Sequence, residues 1–163
     1  MEMKHTTQQH IKEAGSSMYK KLALMIVLSF AAMYALMYAM VDIFANVIPN
    51  VNQFYMAGLM TMPMIILEVI IMGGMYKNKK WNISLITIAS IGLILFFIGI
   101  RQQIGVGDKQ FLKSMIPHHA AAILMGKEAS VTDPEIKELI KNIITSQQAE
   151  IDQMKAKLKE LDK

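Results

Sequence analysis

"DKQFLKSMIPHHAAAILMGKEASVTDPE", residues 108–135, decides how the C-terminal part of this chain folds. Apolar residues recur every three or four positions, the period of an amphipathic helix. One strip holds Phe111, Met115, His118, Ala122 and Met125, with Leu112, Ile116, His119 and Ile123 beside it. Both adjacent histidines therefore fall on the apolar face. Two starts stay open: Asp108 is a candidate N-cap for a helix kinked at Pro117, and Ser114 would place Pro117 in the first turn, where its missing N–H costs nothing. The break comes at "SVTDPE". Thr132 and Glu135 have capping-box spacing, and Asp133-Pro134 resists continuation of the first helix. A second helix runs from Pro134 to near the C-terminus, with an apolar seam of Ile136, Ile140, Ile143, Met154, Leu158 and Leu161 interrupted by Gln147 and Glu150.

Upstream of this stretch the chain changes character. Of its 163 residues 53% are apolar and 18% charged, a balance typical of membrane proteins. Three apolar runs, residues 22–41, 56–75 and 83–100, each approach the ~20 residues needed to cross a ~30 Å hydrocarbon core. The first is preceded by a polar segment and followed by no small-x-small cleavage site, so it reads as a retained helix and not a signal peptide. The domain plan is a cytoplasmic segment 1–21, a transmembrane region 22–100 and an extracytoplasmic helical hairpin 101–163. Lysines fix the orientation, because short basic loops stay cytoplasmic. Lys4, Lys12, Lys20 and Lys21 precede the first run, Lys77, Lys79 and Lys80 follow the second, and "DIFANVIPNVNQF" (42–54) has no basic residue. Arg101 and Lys109 oppose this weakly. The expected location is the cell (inner) membrane, with the C-terminal domain periplasmic or extracellular.

A pI near 9.2 suggests nucleic acid, but residues 101–163 carry ten basic and nine acidic groups. The excess charge is topogenic, and no nucleic-acid partner is expected. Without cysteine, soft-metal chemistry falls to methionine and histidine. Sixteen methionines are present, ten in the first two apolar runs. Filling irregular helix contacts is their simplest use. The row Met56, Met60, Met64, Glu68, Met72 stacks thioethers around one acid, although ~40° of drift per step makes it spiral, leaving a local Met60-Met64-Glu68 cluster. Glu68, read as lying near mid-membrane, needs a partner or a cavity. Tyr34, Tyr38 or a backbone carbonyl are the candidates.

A short connection makes the C-terminal helices antiparallel, which brings His118 and Met115 opposite Gln147, Glu150 and Met154. Those polar groups either satisfy two buried imidazoles or join them in holding a metal. The pattern of Asp108, Phe111, Met115, His118-His119, Ala122 and Met125, followed by Leu139, Ile143, Gln147, Glu150-Ile151 and Met154, resembles the domain-of-unknown-function family 305 over about residues 108–158. The resemblance implies a ferritin-like helical bundle, frequent export, and copper binding in some members. It implies metal-binding roles for Met115, His118, His119, Met125 and Met154, with Gln147 and Glu150 supporting them. Many members carry the helix pair twice; here it occurs once.

Thioether with imidazole and no thiolate favours Cu(I), the expected cofactor or cargo. A carboxylate-bridged iron site would need Glu-x-x-His motifs, and a membrane haem would need histidines inside the apolar runs, whereas His5, His10, His118 and His119 all lie outside them. No nucleophile-base pair or phosphate loop argues for an enzyme. The expectation is an all-α, membrane-anchored, extracytoplasmic protein that sequesters or hands over copper. Two alternatives are a helical assembly module whose histidines shape a subunit interface, and a copper-conducting membrane protein. The single helix pair leaves Leu112, Ile116, Ile123, Leu139 and Ile144 as partly wet shoulders. A homodimer or higher oligomer would cover them and complete a four-helix bundle.

Overall fold

The computed structural model describes residues 2–163, with side chains from residue 17 onward, and its regular structure is all helical. The side chains of Lys4, His5, His10 and Lys12 lie outside the described residues. Five α-helices run in order: α1 (Glu2–Leu36), α2 (Val51–Ile71), α3 (Lys79–Arg101), α4 (Asp108–Glu128) and α5 (Pro134–Leu161). Short 3-10 turns, Met37–Met40 and Phe44–Asn46, lie between α1 and α2. Three stretches, Ser17–Met40, Val51–Ile71 and Lys79–Arg101, are long and apolar enough to cross a membrane. The second run stops at Ile71, short of the expected residue 75. Glu68 therefore lies in the last turn of α2, not at its middle.

The chain divides into two compact units. The first joins Met1–Tyr34 to Tyr55–Gln102. Small residues let its helices approach closely: Ala57, Gly58 and Thr61 of α2 and Ala89 and Gly99 of α3 are buried. A Cβ at Gly58 would lie 2.5 Å from the Phe96 ring. The buried Thr61 hydroxyl donates to the Ala57 carbonyl at 2.7 Å, satisfying a polar group inside the helix. At one end, Leu22, Val69 and Tyr76 form a small buried core. A polar chain ties the elements there: Tyr19 Oη donates to Asn82 Oδ1 (2.7 Å), Asn82 Nδ2 to the Tyr76 carbonyl (2.7 Å), and Tyr76 Oη to Glu68 Oε1 (3.2 Å). Glu68 thus finds Tyr76, which the sequence reading did not consider. Of the expected methionine row, Met56 and Met60 are exposed and Met64 is half-buried, while Met72 packs against the buried core.

The second unit joins Ala35–Phe54 to Gln103–Lys163. Helices α4 and α5 lie side by side in opposite directions. Lys109 pairs with Asp162 at 3.0 Å, His119 meets Glu150 midway, and Gly126 lies against Ile140 and Ile144. Ile116, Ala120, Ile123 and Ile151 are fully buried between them. The segment before α2 closes this core: Val41 and Ile48 pack on it, and the Val51 N–H donates to Gln110 Oε1 at 3.2 Å. Ile116 and Ile123 are therefore not wet shoulders; the chain's own loop covers them.

Candidate metal site

Helix α4 begins at the earlier of the two candidate starts and continues through Pro117. Gly107 occupies its N-cap without a side-chain bond, and Asp108 is the first helical residue, where its charge faces the positive end of the helix dipole. Asp133, not Thr132, caps α5: its carboxylate accepts from the Glu135 and Ile136 N–H groups at 2.9 and 3.0 Å. Pro134 follows at the first helical position, where it loses no bond.

The buried face of α4 is rotated from the expected one. The strip with Ile116, His119 and Ile123 turns inward, whereas Phe111 (52%), His118 and Met125 (54%) are exposed. The α5 seam likewise passes through Ile144, Gln147, Ile151 and Met154, and Ile136 lies outside it. The paired histidines are thus separated by environment: His119 retains 7% exposure and His118 is open, with their rings edge-on at 6.2 Å between centroids.

His119 is fixed at both nitrogens. Nδ1 lies 2.9 Å from the Met115 carbonyl, one turn earlier, and Nε2 lies 2.6 Å from Glu150 Oε2 on α5. A carbonyl only accepts, so Nδ1 carries a proton and donates it. Nε2 then meets a carboxylate, and these two lone-pair atoms stay together only with a proton between them or a cation to share. A backbone bond at Nδ1 that orients Nε2 outward is the arrangement common behind metal-ligating histidines.

Of the remaining candidates, Met115 is half-buried one turn before His119, and Met154 is half-buried against the Ile116 core one turn after Glu150. With His119 opposite Glu150, the antiparallel register places Met115 and Met154 at one level. Gln147 is half-buried on the seam, one turn before Glu150. The structure therefore brings His119 and Glu150 together, with Met115 on α4 and Gln147 and Met154 on α5 each one turn away along the helices. His118 and Met125 belong to the outer strip. Among the described residues no cluster of three His, Cys, Asp or Glu side chains exists. Sequence reasoning missed the 41–51 segment as part of this unit. The signal was there in a connection that is itself largely apolar, with Val41, Ile43, Phe44, Val47 and Ile48 between only three polar residues.

These features define an all-helical chain with three helices apolar enough to cross a membrane and an antiparallel pair bearing adjacent histidines. The chain belongs to the family described as Domain of unknown function (DUF305), whose profile matches residues 101–158. It is also similar to an uncharacterized protein of Acanthamoeba polyphaga mimivirus, 39% identical over 145 residues that cover 85% of this chain and 91% of that protein. That likeness extends well upstream of the matched domain, into the apolar helices. No solved structure matches the chain.

Proposed function

We propose that this protein is a membrane-anchored binder of Cu(I), used for sequestration or handover, with its site on the α4–α5 seam. One observation carries the reading: His119 Nε2, aimed by the Met115 carbonyl, faces Glu150 across two helices at 2.6 Å. His119 and Glu150 would hold the ion, with the thioethers of Met115 and Met154 one turn away on each helix. Imidazole and thioether together suit a soft monovalent ion better than zinc, which prefers more nitrogen, thiolate or carboxylate ligands. Copper is here cargo, and the chain supplies a binding site and no reaction. Glu150 is half-exposed and free to move aside as the ion displaces the proton. His118 and Met125, open on the outer strip, would serve exchange with donors or acceptors.

The lysine pattern places the second unit outside the cytoplasm, periplasmic or extracellular, and the N-terminus inside. The joint folding of residues 37–50 and 103–163 agrees with their lying on one side. Equilibrium competition of the whole protein against a Cu(I) chelator tests the site. Replacing both His118 and His119 by Ala is expected to weaken binding at least tenfold, about 1.4 kcal/mol. Unchanged affinity in a folded double variant, or tighter binding of Zn(II), would reject the reading.

A second reading rests on a different observation. Phe111, Met125, Ile136 and Leu139 remain about half-exposed on the outer faces of α4 and α5. A second copy laid on them would complete a four-helix bundle and bring His118 pairs together, making the chain an assembly module. Size in mild detergent, corrected for bound detergent, decides this: a monomer with and without copper would end it.

A further inference from the structure

One end of the first unit carries an acid that the copper reading of His119 leaves unused. Met18, Leu22 and Met25 fall on one face of α1 at i, i+4, i+7, and Met72 follows Glu68 by one turn. Met18, Met25 and Met72 all pack against the same buried trio, Leu22, Val69 and Tyr76. Three methionines from two separate segments thus pack on one small core. Glu68 joins this core through Tyr76, whose hydroxyl donates to Oε1 at 3.2 Å. Glu68 is half-buried, and among the described residues it makes no ion pair, although Lys20, Lys21, Lys77, Lys79 and Lys80 lie in the flanking segments.

We propose that Met18, Met25, Met72 and Glu68 form a second soft-cation site, taking Cu(I) at the end of the three-helix unit where α2 leads into α3. Thioethers select a soft ion. Charge selects its valence: one monovalent cation neutralises one carboxylate, whereas a divalent ion would leave a net charge among apolar side chains, which is costly. Tyr76 occupies one carboxylate oxygen and leaves the other for the ion. The seam site on α4–α5 is not required for this one, and neither stands or falls with the other.

The test is Cu(I) stoichiometry of the whole protein in detergent under anaerobic conditions, against a chromogenic Cu(I) chelator. Four proteins are compared: wild type, His119→Ala, the triple Met18→Leu, Met25→Leu, Met72→Leu, and the triple combined with His119→Ala. Methionine and leucine are close in volume, so the triple variant keeps the packing. The wild type is expected to bind two ions and the triple one. His119→Ala should keep one ion that disappears in the combined variant. Glu68→Gln should weaken this site at least tenfold and leave the seam site unchanged. If the triple variant fails to fold, Met72→Leu alone must weaken the site at least tenfold. Equal stoichiometry with and without the three thioethers, in both backgrounds, overturns the proposal, as does a wild type that binds no copper. Loss of copper from the seam alone contradicts only the reading of His119.

Discussion

The two units of this molecule solve packing by opposite means. In the α4–α5 unit, polar and apolar residues alternate with helical period, and large side chains fill the seam until Ile116, Ile123 and Ile151 show no exposure. In the three-helix unit the stretches Ser17–Met40, Val51–Ile71 and Lys79–Arg101 are predominantly apolar on all sides. Outside the small Leu22, Val69 and Tyr76 core, contact is made by small residues and the buried Thr61 hydroxyl, while Ile91, Leu95 and Phe97 remain open to the surroundings. The difference is the one that a lipid surrounding of the three-helix unit would produce. In water, burying large apolar groups drives association; against lipid tails that drive vanishes, and close backbone approach with satisfied polar groups takes its place.

The comparison breaks first at Ile151. Truncation to Ala is expected to cost about 2–5 kcal/mol of unfolding free energy in detergent, whereas Ile91→Ala, 53% exposed, should stay within about 0.5 kcal/mol. Equal effects would mean that the units share one packing principle. In the three-helix unit the sensitive positions are glycines instead. Gly58→Ala drives a methyl into the Phe96 ring and should cost about 1–3 kcal/mol, while Gly74, with nothing within 4 Å, should accept Ala at little cost.

The covering loop sharpens the comparison further. Ile48→Asn removes one lid of the α4–α5 core and should cost about 1–2 kcal/mol, with faster amide exchange at residues 116–123 as the readout. Asp133→Ala removes a cap whose bonds are exposed, and a loss of about 1 kcal/mol in thermal unfolding is expected. The smallest effect concerns pH. Burial, then the bond to Glu68, raises the Tyr76 pKa above its ordinary value of 10.0. A raised folded-state value means that the protonated phenol stabilises the fold. That contribution is complete below the unfolded value and is lost as pH climbs through the folded one. Alkaline unfolding followed by circular dichroism should therefore show a loss above pH 10.0 that Tyr76→Phe abolishes.

What the sequence made legible, and what it did not, follows the same division. The three apolar runs and the α5 start at Asp133-Pro134 could be read directly, because length, hydropathy and proline are local signals. The inward face of α4 could not. The Phe111 and Leu112 strips are adjacent and both apolar, and the inward one is the strip that meets Ile151 of α5 together with Val41 and Ile48, some seventy residues away from α4. The outward turn of His118 goes with that arrangement. Glu68 shows the same limit. Its partner lies eight residues downstream across the turn after α2, and helical spacing on α2 alone pointed elsewhere.

The central claim is that the α4–α5 seam holds Cu(I) through His119 with thioether help. Copper K-edge absorption of the protein loaded with one equivalent tests it most directly, in the background where Met18, Met25 and Met72 are leucine. A mixed shell of sulfur and imidazole nitrogen that disappears in His119→Ala is the predicted result. A shell of nitrogen and oxygen alone, or one that His119→Ala leaves unchanged, would contradict the account.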